Sequence, residues 1–317
     1  MEVQTVDLIV GAGPAGLATA ACLTQLSIPY VIVEREDRSA SLWRNRAYDC
    51  LKLHLAKEFC ELPHMPYPLD APTYTPKNQF VKYLDNYIGC FDIRPKYQTT
   101  IESCSYDEGR KCWLSMARET TPSVVVRYTC RFLVVASGEN SAQNIPIIPR
   151  LHDFFGETIH SLRYKSGAAY SGKNVLVVGC GNSGMEIAYD LASHGANTSI
   201  VIRSPVHVAT KEIIRLGMTL ISKYTGEHSG VSSSEVIKSC IWRSVKAWHC
   251  ETKNRPSPPQ GKKGCSAVID VGTISLIKNG TIKVLRDISK IKGNIVEFEG
   301  RMKALLMPLC LQLDIKA

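Results

Sequence analysis

The sequence predicts an α/β protein built from two parallel-sheet nucleotide-binding domains. Two observations predict it: the run VDLIVGAGPAGLATAACLTQLSIPYVIVE at residues 6–34, and a second run of the same plan at residues 174–204. In each, a short apolar strand breaks into a glycine-rich loop, a helix follows, and another strand comes after the helix. That order is the signature of a Rossmann-like dinucleotide-binding fold.

In the first run, Val6 to Val10 reads as a buried parallel strand, Leu17 to Leu26 as a helix, and Tyr30 to Val33 as the second strand. The loop between is Gly11-Ala12-Gly13-Pro14-Ala15-Gly16. Gly11 permits the tight turn, Gly13 lets a pyrophosphate approach the backbone, and Gly16 lets helix and strand pack closely. The helix N-terminus offers unpaired N–H groups and a partial positive charge to the phosphates. Glu34, about twenty residues on, is placed to accept hydrogen bonds from ribose hydroxyls.

A polar turn follows, then Ser41-Leu42-Trp43-Arg44-Asn45-Arg46. Leu42 and Trp43 adjoin the nucleotide site, where Trp43 either stacks on a ring or fills core. Residues 60–76, rich in Pro and aromatics, read as a rigid ordered loop. Asn78 to Ile88 reads as a helix with Phe80, Tyr83, Leu84 and Tyr87 on one stripe. Residues 97–135 read as short β segments ending in Phe132-Leu133-Val134-Val135. The small residues Ala136-Ser137-Gly138 then leave room for another group to come close. Pro146 and Pro149 make Ile145 to Pro149 a crossover between domains.

In the second run, Asn174 to Val178 is a strand, Gly179-Cys180-Gly181-Asn182-Ser183-Gly184 the loop, Met185 to Ser193 a helix, and Thr198 to Ile202 the next strand. This strand ends in Arg203-Ser204 instead of an acid. An acid would repel a ribose 2′-phosphate, whereas Arg and a hydroxyl would bind it, so NADPH is expected over NADH. Two dinucleotides facing each other usually mean a flavin reduced by a nicotinamide, with FAD in the first fingerprint and NADPH in the second.

Composition sets the outer limits. A chain of 317 residues, 44% hydrophobic and 21% charged, can hold two globular domains. No apolar stretch reaches the roughly eighteen residues of a membrane span. No basic-then-apolar leader precedes the first strand, so a cytoplasmic protein is expected. The twelve cysteines include no CxxC pair and no zinc-finger spacing. They are expected to be reduced thiols with no metal site, and the absence of a redox-active pair argues against the dithiol flavoproteins. Net charge is +9, with 14 basic against 6 acidic residues after position 240 and 24 against 23 before it. Without aromatic interleaving, this basic tail does not point to nucleic acid.

Residues 154–164, FFGETIHSLRY, fit FxGxxxHxxxY, the identifying motif of flavin-containing monooxygenases. With LKLHLAKEFCELPHMPYP (51–68), LVVASGEN (133–140), GCGNSG (179–184) and VIDVGTISLIKNGTIKV (268–284), the chain resembles the plant YUCCA-type monooxygenases. The resemblance runs over residues 1–220 and resumes around 268–299. It implies an NADPH- and FAD-dependent conversion of indole-3-pyruvate, a 2-oxo acid, to indole-3-acetic acid with O2, through a flavin C4a-(hydro)peroxide. It implies no side chain as an acid–base catalyst; His160 is expected to order the link between domains. By the spacing of Lys57-Glu58, it sets His54 where animal relatives carry an Asn near the flavin. The expected domains are 1–165 for FAD, 166–267 for NADPH, and 268–317 as a partial return to the first.

Three departures from the family pattern stand out. Ser137 replaces the Thr of an ATG segment, and residues 223–266 are shorter and less regular than the family's helical region. After residues 297–300 the family continues into a second ATG-Y motif, whereas this chain reads GRMKALLMPLCLQLDIKA and stops. The expectation is a truncated or spliced member with an incomplete flavin pocket. Its alternatives are a broader N- or S-oxygenating monooxygenase and a non-catalytic nucleotide-binding remnant.

Overall fold

The computed structural model describes residues 2–120, 123–143, 147–203, 206–225, 247–248, 268–299, 303–305 and 309–311. The chain divides into two units, Met1–Ala47 with Ala56–Ala142, and Tyr48–Leu55 with Gln143–Lys316. Sequence reasoning placed the boundaries at 165 and 267.

The first unit runs β1 (Glu2–Val10), α1 (Pro14–Gln25), β2 (Tyr30–Val33), α2 (Lys77–Cys90), then β3 (Thr99–Asp107), β4 (Cys112–Glu119) and β5 (Val124–Val135). Its sheet has the order β2-β1-β5-β4-β3. β1 pairs in parallel with β2 and β5, while β3, β4 and β5 form an antiparallel meander. The expected strand 132–135 is therefore the end of β5, which carries the meander back beside β1. Pro14 opens α1, where its missing N–H costs nothing. Leu17, Ala20 and Ala21 are wholly buried, and the two alanines let the helix lie close to the sheet.

α2 buries Phe80, Tyr83, Leu84 and Tyr87, the stripe read from the sequence. Two of these explain the order of the proline-rich loop. The Tyr83 hydroxyl donates to Met65 O at 2.6 Å and accepts from Leu62 N–H at 2.9 Å, and the Tyr87 hydroxyl donates to Pro63 O at 2.8 Å. Tyr67 stacks on Tyr83 with ring centroids 4.1 Å apart.

The second unit runs β6 (Thr158–His160), β7 (Asn174–Val178), α3 (Asn182–Ser193), β8 (Asn197–Val201), β9 (Val206–Thr210) and α4 (Lys211–Thr225). It continues through β10 (Ala247–Trp248), β11 (Val268–Asp270), α5 (Thr273–Lys278), β12 (Lys283–Leu285), β13 (Ile288–Lys292), β14 (Ile295–Phe298), β15 (Lys303–Leu305) and β16 (Leu309–Leu311). The main sheet, β12-β8-β7-β16-β6, is parallel throughout. Within residues 268–317, expected to return to the first domain, the described residues 268–299, 303–305 and 309–311 group with this unit instead. β11 pairs with β9, β12 extends the sheet beside β8, and β16 lies between β7 and β6. Burial of Val268, Ile282, Leu285, Ile291, Val296 and Phe298 in this unit's two cores holds them there.

The FxGxxxHxxxY residues also belong to this unit. A Cβ on Gly156 would lie 2.6 Å from the Phe154 ring, so the ring would have to shift to admit one. Tyr164, 1% exposed, donates its hydroxyl to Asp190 Oδ2 on α3, which also accepts Gly167 N–H at 2.7 Å. The motif thus clamps the chain before β7 onto α3.

His160 is buried; its Nδ1 accepts Leu162 N–H at 3.2 Å, while Nε2 has no hydrogen-bond partner among the described residues. Burial holds this imidazole below its ordinary value. The unfolded chain then takes up a proton that the folded chain refuses, so the contribution is full above about pH 6.5 and falls as pH drops below it. Between about pH 7 and pH 5.5 the unfolding midpoint is expected to fall more for the native protein than for His160→Gln. Equal falls would dismiss this account of His160.

Candidate functional site

The two glycine loops share one backbone conformation. Gly11 and Gly179 have φ of +108° and +107°, where a side chain is strained. Gly13 and Gly181 cap α1 and α3 in extended conformation, with φ/ψ of −81°/−177° and −69°/−177°. Gly11 N–H donates to Val33 O at 2.8 Å, and Gly179 N–H to Val201 O at 3.2 Å. Neither helix has a side-chain cap or an acidic residue in its first turn. The orphan N–H groups and the positive end of each helix are therefore open to an anion.

The three glycines of the first loop do three separate things. A Cβ on Gly16 would sit 1.9 Å from Gly11 O, so the close approach of helix to loop forbids one. A Cβ on Gly11 would sit 2.4 Å from Ala136 O. One on Gly13 would meet nothing within 4 Å, because Gly13 faces open space.

That space is a cavity of about 610 Å³, within the range of sites for small molecules. Among the expected residues, Gly11, Gly13, Pro14, Ala15, Glu34, Leu42 and Trp43 all line it. Ala12 and Gly16 stand behind the wall, and Ala12 is fully buried. Ala12 N–H donates to Glu34 Oε2 at 2.8 Å, and Glu36 N–H to Glu34 Oε1 at 3.0 Å. Each oxygen keeps further accepting capacity for a hydroxyl. A single wide helical turn, Leu42–Arg46, closed by Ala47 N–H donating to Leu42 O at 3.0 Å, brings Leu42 and Trp43 to the cavity. Wide turns of this kind are frequent at functional sites. Trp43 packs edge-on against Phe80, ring centroids 4.7 Å apart, and also lines the cavity.

Val135, Ala136, Ser137 and Gly138 form another part of the wall. Sequence reasoning missed Arg46, Thr99, Thr100 and Ser141, which also line it. Arg46 donates to Ser141 O at 3.0 Å and to Glu36 Oε1 at 3.2 Å, joining distant segments of the rim. An Arg three residues after a Trp beside a nucleotide loop was the one available signal.

In the second unit, Cys180 and Gly184 are buried. Asn182 Oδ1 accepts Ile269 N–H at 2.8 Å, fixing the loop to β11. Ser183 is half-buried in the first turn of α3. Arg203 is exposed two residues beyond the end of β8, one past Ile202, which holds the place that Glu34 takes after β2. Ser204 lies outside the described residues. His54 is grouped with the second unit, its Nε2 3.2 Å from Glu186 Oε1. Among the described residues no helix is long and apolar enough to cross a membrane.

The comparisons with known proteins agree with this geometry. Residues 8–213 match the family model described as pyridine nucleotide-disulphide oxidoreductase. The family's name refers to dithiol chemistry, for which this sequence has no CxxC pair. "Probable indole-3-pyruvate monooxygenase YUCCA10" of Arabidopsis thaliana is 48% identical over 95% of this chain and 79% of its own length. "Indole-3-pyruvate monooxygenase YUCCA6" of the same plant is 42% identical over 94% of this chain and 73% of its own. A flavin-containing monooxygenase from Stenotrophomonas maltophilia shares the fold, with a TM-score of 0.70 at 16% identity over 99% of this chain and 78% of that one. The chain belongs to the YUCCA family of indole-3-pyruvate monooxygenases.

Proposed function

We propose that the protein is an NADPH- and FAD-dependent monooxygenase that converts indole-3-pyruvate to indole-3-acetic acid. The observation that carries the reading is the pair of like-shaped glycine loops, one followed by Glu34 and the other by Arg203. The reaction balances as indole-3-pyruvate, NADPH, a proton and O2 giving indole-3-acetate, CO2, water and NADP⁺. FAD, when bound, supplies the acceptor for the hydride and the site of O2 activation. The protein's part is to hold and to shield. The N–H groups at the start of α1 take the pyrophosphate beside Gly13, and Glu34 takes ribose hydroxyls. Leu42, Trp43 and Val135 supply apolar wall that excludes water. The start of α3 takes the second pyrophosphate, and Arg203 with Ser204 the 2′-phosphate. His54 is proposed near the flavin ring, and no side chain is assigned proton transfer. The proposed location is the cytoplasm.

Purified protein, loaded with FAD, should show flavin absorption in the visible range. With NADPH and O2 it should yield one indole-3-acetate per indole-3-pyruvate, measured by mass spectrometry. NADPH binding without O2 consumption would overturn the enzymatic reading. Turnover of amines and thioethers but not of 2-oxo acids would overturn the substrate.

A further inference from the structure

The stretch from β11 to β12 is bonded to both parts of the second unit that are read as phosphate holders. At the start of α3, Asn182 Oδ1 takes Ile269 N–H from β11 at 2.8 Å. Thr273, wholly buried at the start of α5, donates its hydroxyl to Met185 O at 2.7 Å. Gly272, at φ +112°, comes so near α3 that a Cβ there would lie 2.9 Å from the Tyr189 ring. Positions 182, 185 and 189 fall on one stripe of α3. Asp270 Oδ1 fixes the turn that makes these contacts, accepting Gly272 N–H at 3.0 Å and Ile274 N–H at 3.2 Å. The same stretch flanks Arg203. Leu285 O, at the end of β12, accepts Ile202 N–H at 3.2 Å, and β11 pairs with β9, which begins three residues after Arg203.

We propose that residues 268–285 are a spacer that sets coenzyme preference, holding the start of α3 and the chain around Arg203 at the separation that NADPH requires. Thr273 is its positioning residue. The proposal rests on the reading of the second unit as the NADPH site.

NADPH carries phosphate in two places, the pyrophosphate and the ribose 2′ position. A second grip adds affinity only when both holders already stand where the ligand needs them, since otherwise the cost of ordering them offsets the gain. NADH lacks the 2′-phosphate and meets the first holder alone. A small shift between the holders therefore weakens NADPH and spares NADH. The ladder of β8 with β7 ends at Val201, short of Arg203. Beyond it, the bond from Ile202 to Leu285 and the pairing of β9 with β11 direct the chain on either side of Arg203. The Thr273 hydroxyl and the Ile269 amide join that frame to α3. Valine is close to threonine in shape and lacks the donor, and Met185 O keeps its bond within the helix. Thr273→Val therefore loosens the brace and leaves no carbonyl unpaired.

Thr273→Val in the FAD-loaded protein tests this, with NADP⁺ and NAD⁺ as the probes in direct binding titrations. The variant is expected to bind NADP⁺ about two- to tenfold more weakly, as loss of one hydrogen bond implies, and NAD⁺ as before. The ratio of kcat/KM for NADPH to that for NADH should fall by the same factor, through KM and not kcat. Thr273→Ser keeps the donor and should restore the native ratio. Gly272→Ala, strained at positive φ and pressed against Tyr189, should lower the ratio further. An unchanged ratio in Thr273→Val, or a loss shared equally by the two coenzymes, would overturn the proposal. Should that variant not fold, the native protein decides. Hydrogen exchange over residues 268–274 should slow more with saturating NADP⁺ than with saturating NAD⁺, and equal slowing would overturn the proposal. Failure of the native protein to bind NADP⁺, or to prefer it to NAD⁺, would instead fell the reading of the site, and the proposal with it.

Discussion

Gly16→Ala is expected to purify colourless, with FAD binding at least about a hundredfold weaker and a lower unfolding midpoint. The added Cβ would lie 1.9 Å from Gly11 O and 3.1 Å from Gly11 C. Both are backbone atoms, so no rotamer change can relieve the overlap. Either α1 moves off the sheet or the Gly11–Gly13 loop moves into the cavity it lines. Overpacking of this kind costs about 1–3 kcal/mol, and occasionally more, in stability. Moving the loop also misaims the N–H groups at the start of α1. Gly13→Ala separates the two effects. Its Cβ meets nothing within 4 Å, so the fold should stand, yet the methyl occupies space needed by the pyrophosphate. Visible absorbance, an FAD titration and thermal unfolding on both variants check this. Gly16→Ala that keeps its flavin and its midpoint would show that the close approach is not what holds the cofactor.

The features legible in the sequence are those that local chemistry dictates. Gly11 and Gly179 must be glycine because their φ is positive, and Gly16 because a backbone oxygen takes the place of its side chain. Such demands do not depend on the rest of the chain. The same holds for the stripe of α2, whose spacing of three and four residues reports the buried face directly. What escaped depends on partners far away in sequence. β11, β12 and β16 have three residues each, too few to show a period, and the two sheets that claim them are set by non-local pairing. Tyr48 to Leu55 shows no sign in itself that Tyr48 is to meet a carboxylate 138 positions later. Thr99 and Thr100 reach the cavity because β3 begins beside it. A polar pair at the head of a strand does not announce what it faces.

Arg203→Ala is expected to raise KM for NADPH by about 10–150-fold while leaving NADH turnover nearly unchanged. The range follows from about 1.5–3 kcal/mol for hydrogen bonds to a charged group. The reasoning compares the two units. After β2 the chain places Glu34, whose carboxylate is buried and tied to Ala12 N–H, where a 2′-phosphate would be repelled. After β8 Ile202 holds the corresponding place and Arg203 follows it, exposed and cationic, with a guanidinium that can take a phosphate in a two-pronged grip. Because the side chain is exposed, part of the attraction is screened by salt, so the preference for NADPH should narrow as ionic strength rises. In Arg203→Ala that salt dependence should flatten along with the loss of preference. The decisive quantity is the ratio of kcat/KM for NADPH to that for NADH, measured at low and high salt. A fall in both coenzymes together would mean that Arg203 supports the loop and does not read the phosphate. No fall in either would move the 2′-phosphate away from the end of β8 altogether.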